Sequence, residues 1–364
     1  MPSANPANNS GALALEVRRD EPATTQLVAD TPRLTDGSIV LAVDSFALTA
    51  NNVTYALFGD ALGYWRFYPA SADGWGRVPV WGFARVVESG HPEVAVGSSW
   101  FGFLPMAHQF AVNIGSVNAE RFVAADEHRR ELPGAYNLYR VADENEPNDS
   151  AARVHTMVFR PLFLTAFLIA DVLDEKAPDA SVIVSSASSK TALALAAEVR
   201  RRGGRHLIGL TSPSNTEFVT ALDLYDDVVA YSDAANLAAT TSVFVDIAGN
   251  GELRNAIHAH LDQALILSLA VGASHGAVPT QPPTAGPHPE LFFAPQVYNE
   301  RVAAIGTDAF DQNYLSGWRA FGETARNWLA PQRLDGLDAG ADAWRSMLAG
   351  TVPPSAALVV QLSR

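Results

Sequence analysis

SVIVSSASSKTALALAAEVRRRGGRHLIGLTS, residues Ser181 to Ser212, reads as strand, loop, helix and strand. Ser181 to Ser186 opens with a continuous β-branched run, the pattern of a strand buried on both faces. Lys190 to Gly204 is a helix of alanines and leucines, with arginines in its last turn and Gly203-Gly204 as its stop. His206 to Ser212 is the next strand. Downstream the alternation continues: a helix over Thr216 to Leu224, then DDVVAYSD (Asp226 to Asp233), SVFVDIAGN (Ser242 to Asn250) and ALILSLAVGASH (Ala264 to His275), with a helix between the last two. Strands and helices alternating at this spacing form a doubly wound parallel sheet with helices on both faces, so the fold class is α/β with a Rossmann-like domain.

Upstream the pattern differs. Val154 to Glu175 is apolar at helical spacing. Before it, ADENEPNDSAAR (Ala142 to Arg153) is polar, acidic and broken by a proline, and marks a boundary. From Gly37 to about Val141 the chain reads as strands and turns, including Ser38 to Leu48, Arg77 to Gly90 and Val96 to Val112. Tyr55, Phe58, Tyr64, Trp65, Phe67, Tyr68, Trp75, Trp81 and Phe83 crowd into one short stretch, which suggests an aromatic-lined cavity beside a core. After a proline-rich loop (Gly276 to Pro289), Asp308 to Leu329 and Gly340 to Leu348 read as helices and Ala357 to Leu362 as a closing strand. The expected organisation is a disordered tail over 1–12, a β-rich substrate domain from 13–155 plus 305–364, and a dinucleotide-binding domain over 156–304.

Composition narrows the function. Of 364 residues, 25 are Lys or Arg and 39 are Asp or Glu, a formal charge of −14. That sign repels phosphate backbones and anionic lipid, so neither nucleic acid nor a membrane surface is an expected partner. The absence of cysteine removes thiolate nucleophiles, Fe–S clusters and sulfur-ligated zinc. His258 and His260 read as part of a solvated helix, with a metal site as the rival. The longest apolar stretch, Pro161 to Ala170, is about half of the roughly 20 residues a spanning helix needs. The N-terminus lacks a basic start and an apolar block, so a cytoplasmic location is expected.

In a doubly wound sheet the ligand sits at the carboxyl ends of the strands, on the first helix's N-terminus. Here that place reads Ser185-Ser186-Ala187-Ser188-Ser189-Lys190-Thr191-Ala192, with no glycine at Ser186, Ser189 or Ala192. Small side chains still admit a pyrophosphate, hydroxyls add donors, and Lys190 adds positive charge. Ser186, Ala187, Ser188, Ser189, Lys190 and Thr191 are therefore the expected cofactor contacts. A nucleotide P-loop ending Ser189-Lys190-Thr191 is a rival reading, as is a plain helix cap at Ser185 or Ser186. After the second strand comes Thr211-Ser212-Pro213-Ser214-Asn215, with no acid before Glu217. An acid there would hold both ribose hydroxyls of NAD, whereas Ser212 and Asn215 suit a 2′-phosphate, so NADP(H) is the expected cofactor. A simple Ser-Pro turn is the competing reading. Thr165, Ala248, Gly249 and Gly272, near other element ends, are expected beside the ribose and nicotinamide. Asp246, flanked by apolar residues, reads as a structural acid.

The element order, with LTANNVTYALFGDALGYW, RVVESGHPEVAVGSSWFGF, RPLFLTAF, VDIAGN and GTVPPSAALVVQL, resembles the medium-chain dehydrogenase/reductase superfamily in its zinc-free quinone-reductase and enoyl-reductase branch. PVWGF, RPLFLTAF and SSASSKTA together resemble, more closely, a branch known only as a domain of unknown function. The resemblance implies a GroES-like N-terminal domain and a homodimer joined through its cofactor-domain sheets. Where zinc members carry Gly-His-Glu this chain has Val80-Trp81-Gly82, so no metal is expected. The resemblance also implies that an Asn and one or two Tyr from Asn51 to Tyr64 polarise the acceptor, which singles out Asn52, Tyr55 and Tyr64. Asn51-Asn52 as a helix cap, and Tyr64 as a packed aromatic, stay open.

The expected activity is thus a metal-free NADPH-dependent reduction of an activated C=C bond or quinone, on an apolar or aromatic carbonyl substrate. The missing glycines keep two alternatives: a lyase or isomerase on the same fold with an altered or lost cofactor site, and a binding protein with a vestigial one.

Overall fold

The structure, a computed structural model, describes residues 11–271, 283–325 and 328–362. It divides into two compact units. The first comprises 1–157, 331–352 and 357–364; the second comprises 158–330 and 353–356.

In the first unit, Ser38–Leu48 is the strand around which the rest is laid. It pairs antiparallel with Pro79–Ser89 on one side. On the other it pairs with Gln109–Val117 through Ser38 to Ala42 and with Ala356–Gln361 through Ser45 to Leu48. The order 38–48, 79–89, 99–105, 138–142, 121–124, 109–117 returns to 38–48, so six strands close a barrel. Closure leaves these strands no free edge. A smaller sheet of Thr25–Ala29, Leu13–Arg18 and Trp75–Gly76 accompanies it, from a segment whose strands the sequence reading did not assign.

The second unit holds a six-stranded parallel sheet in the order 227–230, 207–211, 181–184, 242–246, 265–270, 290–291. Ser181–Val184 is central, buried on both faces, and paired with Leu207–Thr211 and Ser242–Asp246. The carboxyl ends of these three strands thus converge at the loop after Val184.

Two expectations change. The helix before the sheet runs unbroken from Ala151 to Lys176, through Pro161, and is long and apolar enough to cross a membrane. Its most apolar window is 61% buried inside the protein. The second change concerns the later boundary, expected at residue 305. Helices Ala294–Ile305 and Thr307–Thr324 fall in the second unit. The reason is aromatic packing: Phe163 stacks on Phe321 at 4.9 Å, and Phe167 meets Phe310 edge-on at 5.8 Å.

Candidate functional site

The loop after Val184 is held by side chains on both flanks. Ser185 is fully buried. Its Oγ donates to Asp246 Oδ1 at 2.8 Å and accepts from the amides of Ile247 and Ala248 at 2.9 and 3.0 Å. Asp246 Oδ1 also accepts from the Gly249 amide at 3.0 Å. Its Oδ2 takes Nε and a terminal N–H of Arg254 at 2.7 and 2.6 Å. A buried carboxylate so fully partnered is structural. It fixes the turn carrying Ala248 and Gly249 beside the loop.

Ser186 stands at φ 53°, the left-handed region that glycine adopts freely and a serine enters at about 1–2 kcal/mol. Its amide donates to the Tyr231 hydroxyl at 3.0 Å. The Ala187 amide donates to Leu210 O at 2.9 Å, which pulls the loop against the second strand. That approach depends on Gly209: a Cβ there would lie 2.9 Å from both the Ala187 Cβ and the Tyr225 ring. A glycine for close packing is therefore present, on the strand rather than in the loop. The one-three-six spacing of a dinucleotide fingerprint, counted from Ser186, falls on Ser188 and Thr191, not on Ser189 and Ala192.

The next residues gather donors. Ser188 Oγ accepts from Asn215 Nδ2 at 3.1 Å and lies 3.5 Å from Thr211 Oγ1. Ser212 and Ser214 share a hydroxyl contact at 3.1 Å. Ser189 is the N-cap of the helix Lys190–Arg202, its Oγ accepting from the Ala192 amide at 3.3 Å. The amides of Lys190 and Thr191 precede the first intrahelical bond, Leu193 N to Ser189 O, and so point out of the positive end of the helix. Lys190 Nζ donates to Pro354 O at 3.2 Å. Burial pulls its ammonium down to about 8.

The ten expected contacts Ser186, Ala187, Ser188, Ser189, Lys190, Thr191, Ser212, Asn215, Ala248 and Gly249 thus line three adjacent strand ends. Thr165 stands on the long helix, its hydroxyl 3.5 Å from Pro161 O. Gly272 lies outside the described residues. The nearby arginines are committed elsewhere. Arg200 binds Leu224 O and Asp226, Arg201 binds Glu198, Arg202 binds Glu198, Asp171 and Asp174, and Arg205 binds Asp174. The solvated-helix reading of the histidines is corrected. His258 is fully buried, 3.0 Å from Ala285 O and 2.9 Å from Ser268 Oγ, and desolvation depresses its pKa. His260 lies 2.8 Å from Leu237 O. Among the described residues no three His, Asp or Glu gather as metal ligands.

The first unit holds a separate aromatic box. Tyr55 and Tyr64 are nearly buried and their rings lie 4.5 Å apart. Tyr55 OH accepts from Asn51 Nδ2 at 2.6 Å and from Trp81 Nε1 at 3.2 Å. Tyr64 OH is 3.1 Å from Tyr136 OH. Phe103 packs against Tyr55, Trp81 and Tyr136. Desolvation raises the pKa of all three tyrosines, so they are neutral hydroxyls at physiological pH. Asn52 is placed differently: its Oδ1 accepts from Thr49 N at 2.7 Å and its Nδ2 donates to Pro79 O at 2.9 Å. That is a capping box on helix Ala50–Leu57, which commits the amide oxygen and one of the two amide N–H groups. Sequence reasoning passed over Tyr136, Tyr231 and Gly209, which lie far along the chain from the groups they serve, and Arg254, which reaches Asp246 from the helix that follows it.

A model of a family described as a protein of unknown function, DUF2855, matches residues 46–353. The chain belongs to the DUF2855 family. No curated protein matches it. Among solved structures it is similar to CurA from Vibrio vulnificus, with a TM-score of 0.63 at 13% identity, covering 97% of this chain and 99% of that one. CurA in complex with NADPH gives a TM-score of 0.63 at 14% identity, over 93% and 94% of the two chains. The quinone oxidoreductase of Thermus thermophilus, solved also with NADPH, gives 0.57 at 18% identity, over 96% and 100%. The DUF2855 chain has the two-domain fold of these proteins, a β-barrel unit and a Rossmann-like unit.

Proposed function

We propose that this DUF2855 protein is a metal-free, NADPH-dependent oxidoreductase that reduces an activated C=C bond or a quinone. The observation that carries this reading is the ring of neutral donors at the second strand's end. Asn215 Nδ2 and Thr211 Oγ1 both reach Ser188 Oγ, with Ser212 and Ser214 beside them and no carboxylate among them. A 2′-phosphate is accepted there and a carboxylate-dependent diol contact is not. The likeness to proteins solved with NADPH supports the same cofactor. The fit extends along the loop. Small side chains from Ser185 to Ser189 leave room for a pyrophosphate, and the Lys190 and Thr191 amides with the Lys190 ammonium supply its counter-charge. When bound, the reduced nicotinamide supplies the hydride.

The chain's own part is to bind, orient and polarise. Tyr55 and Tyr64 are neutral hydroxyls in an apolar wall, suited to an acceptor oxygen without the cost of a buried charge. The partly exposed Trp81 and Tyr136 rings suit a flat apolar substrate. Asn52 holds the Tyr55 helix in place through its oxygen and one N–H, and its second N–H is a further donor for the acceptor. The test is oxidation of NADPH by the purified protein, followed by loss of its absorbance, with quinones and enones of increasing ring size. Turnover of a planar aromatic acceptor is expected. Binding of NADPH with no turnover across the panel would contradict the reaction.

One observation favours a second reading, a lyase or isomerase on the same fold. The loop amides of Ser186, Ala187 and Ser189 are already taken, by Tyr231 OH, Leu210 O and Ser186 O. Fewer backbone donors remain for a phosphate than a glycine loop offers. That reading requires turnover of a carbonyl compound with no nucleotide present.

A further inference from the structure

The strand Ser38–Leu48 changes partners at its middle. Its amino half pairs with Gln109–Val117 and its carboxyl half with Ala356–Gln361. At the fork, Val43 N donates to His108 O and Leu362 N donates to Asp44 O, each at 2.9 Å. Two bulges mark the same place. Asp44 is the extra residue between the pairs Val43–Ala84 and Ser45–Phe83, and Val87 is the extra residue between the pairs Val40–Glu88 and Leu41–Val86. A bulge bends its strand and re-aims side chains. The result is a cleft of about 540 Å³ in the barrel unit, lined by both bulged residues and by Arg85, Val96, His108 and Gln109. That volume suits a small molecule.

The cleft carries uncommitted donors. Asp44 is buried, and its Oδ1 accepts from a terminal N–H of the half-exposed Arg85 at 2.7 Å. The other N–H groups of Arg85 bond to no described residue. His108 Nδ1 accepts from Leu13 N at 3.1 Å, which selects the neutral tautomer with its proton on Nε2. Burial depresses its pKa and so keeps that state at physiological pH. The His108 Nε2–H and the Gln109 carboxamide likewise bond to no described residue. Beside these donors the wall is aliphatic, with Val87 37% and Val96 62% exposed. A planar guanidinium fork matches a carboxylate. One guanidinium, already shared with Asp44, balances a single negative charge better than two. We propose that this cleft binds a monocarboxylate with an aliphatic body. Its carboxylate lies on the free N–H groups of Arg85, with His108 Nε2–H and Gln109 as neutral donors, and its hydrocarbon runs along Val87 and Val96. The site goes beyond the reductase reading, because all its residues belong to the barrel unit and it needs no nucleotide.

The test uses octanoate and its neutral amide, octanamide, titrated into the full chain without nucleotide. Binding is followed by NMR of the valine methyl groups, with the Val87 and Val96 signals assigned by substitution. Octanoate is expected to shift both signals saturably and to bind about tenfold more tightly than octanamide, since the amide lacks the charge that strengthens the Arg85 contact. Octyl phosphate, which carries more negative charge, is expected to bind no better than octanoate. Arg85→Gln is expected to abolish the preference for octanoate. Val96 is exposed, so changing it leaves the fold intact even if Arg85→Gln does not. Read at Val87, Val96→Lys is expected to raise octanoate affinity about two- to fourfold and Val96→Glu to lower it as much, with octanamide unmoved by either. Equal binding of octanoate and octanamide overturns the proposal. So does octanoate binding that leaves the Val87 and Val96 signals in place, tighter binding of octyl phosphate, no response to the Val96 pair, or no saturable binding at millimolar concentration.

Discussion

The loop Ser185–Lys190 and the Tyr55–Tyr64–Tyr136 box differ in where their polar groups come from. The loop is one continuous run, and strand ends on both sides pin it: Ser185 to the 246–248 turn, Ala187 and Ser188 to the 210–215 turn. The box gathers side chains from a helix, two short 3₁₀ turns and two barrel strands, spread from Asn51 to Tyr136. Charge separates them as well. The loop rests on a buried ion pair and one lysine, whereas the box is neutral throughout. Substitutions should therefore separate the two sites, and the largest effect belongs to the loop's foundation.

Asp246→Asn leaves the Arg254 guanidinium buried without its counter-charge and weakens the acceptor for Ser185. A loss of about 3–5 kcal/mol is expected in urea unfolding. A loss under about 1 kcal/mol would show that the ion pair does not anchor the loop.

Lys190→Met comes next. Nucleotide affinity is expected to fall about tenfold at neutral pH. In the wild type, affinity should weaken as pH rises through about 8, where the Lys190 ammonium is lost, and the variant should lack that slope. Stability runs the other way. Between about 8 and the ordinary lysine value of 10.5 the unfolded chain holds a proton that the folded chain has released. Stability therefore rises with pH across that window, and Lys190→Met removes this contribution too. Calorimetric titrations and thermal melts across pH check both signs.

The smallest effect is at Tyr231. Tyr231→Phe frees the Ser186 amide for a phosphate oxygen, and a gain of a few-fold in NADPH affinity is expected by calorimetry. Weaker binding in this variant would place Tyr231 among the ligand's contacts instead of among its competitors.

How much of each site the sequence reveals follows from the same difference. The parallel sheet is legible because β-branched runs such as Ser181–Val184 and Ser242–Asp246 sit in register with alanine-rich helices. The loop is legible as a place, since it must follow the first buried strand. The glycine that lets it close is not: Gly209 is one residue in an ordinary strand, and only the 2.9 Å approach to Ala187 marks it. Tyr55 and Tyr64 are visible as part of an aromatic-dense stretch. Tyr136, 72 residues beyond Tyr64, carries no local signal, because the barrel closure that brings it back is non-local. Asn52 reads as a donor from its residue type. Its capping bond to Thr49 N and its bond to Pro79 O depend on a turn and a strand that composition does not specify. The boundary at residue 305 moved for a similar reason. Helix Thr307–Thr324 follows its aromatic face to Phe163 and Phe167, whatever the strand count before it.

The central claim is that a loop without glycine holds a 2′-phosphorylated dinucleotide. Calorimetric titration of the wild-type chain with NADPH, and in parallel with NADH, tests it most directly. Saturable binding of NADPH, tighter than NADH and weakening as pH rises through about 8, is the expected result. No saturable binding of either nucleotide at millimolar concentration would contradict it.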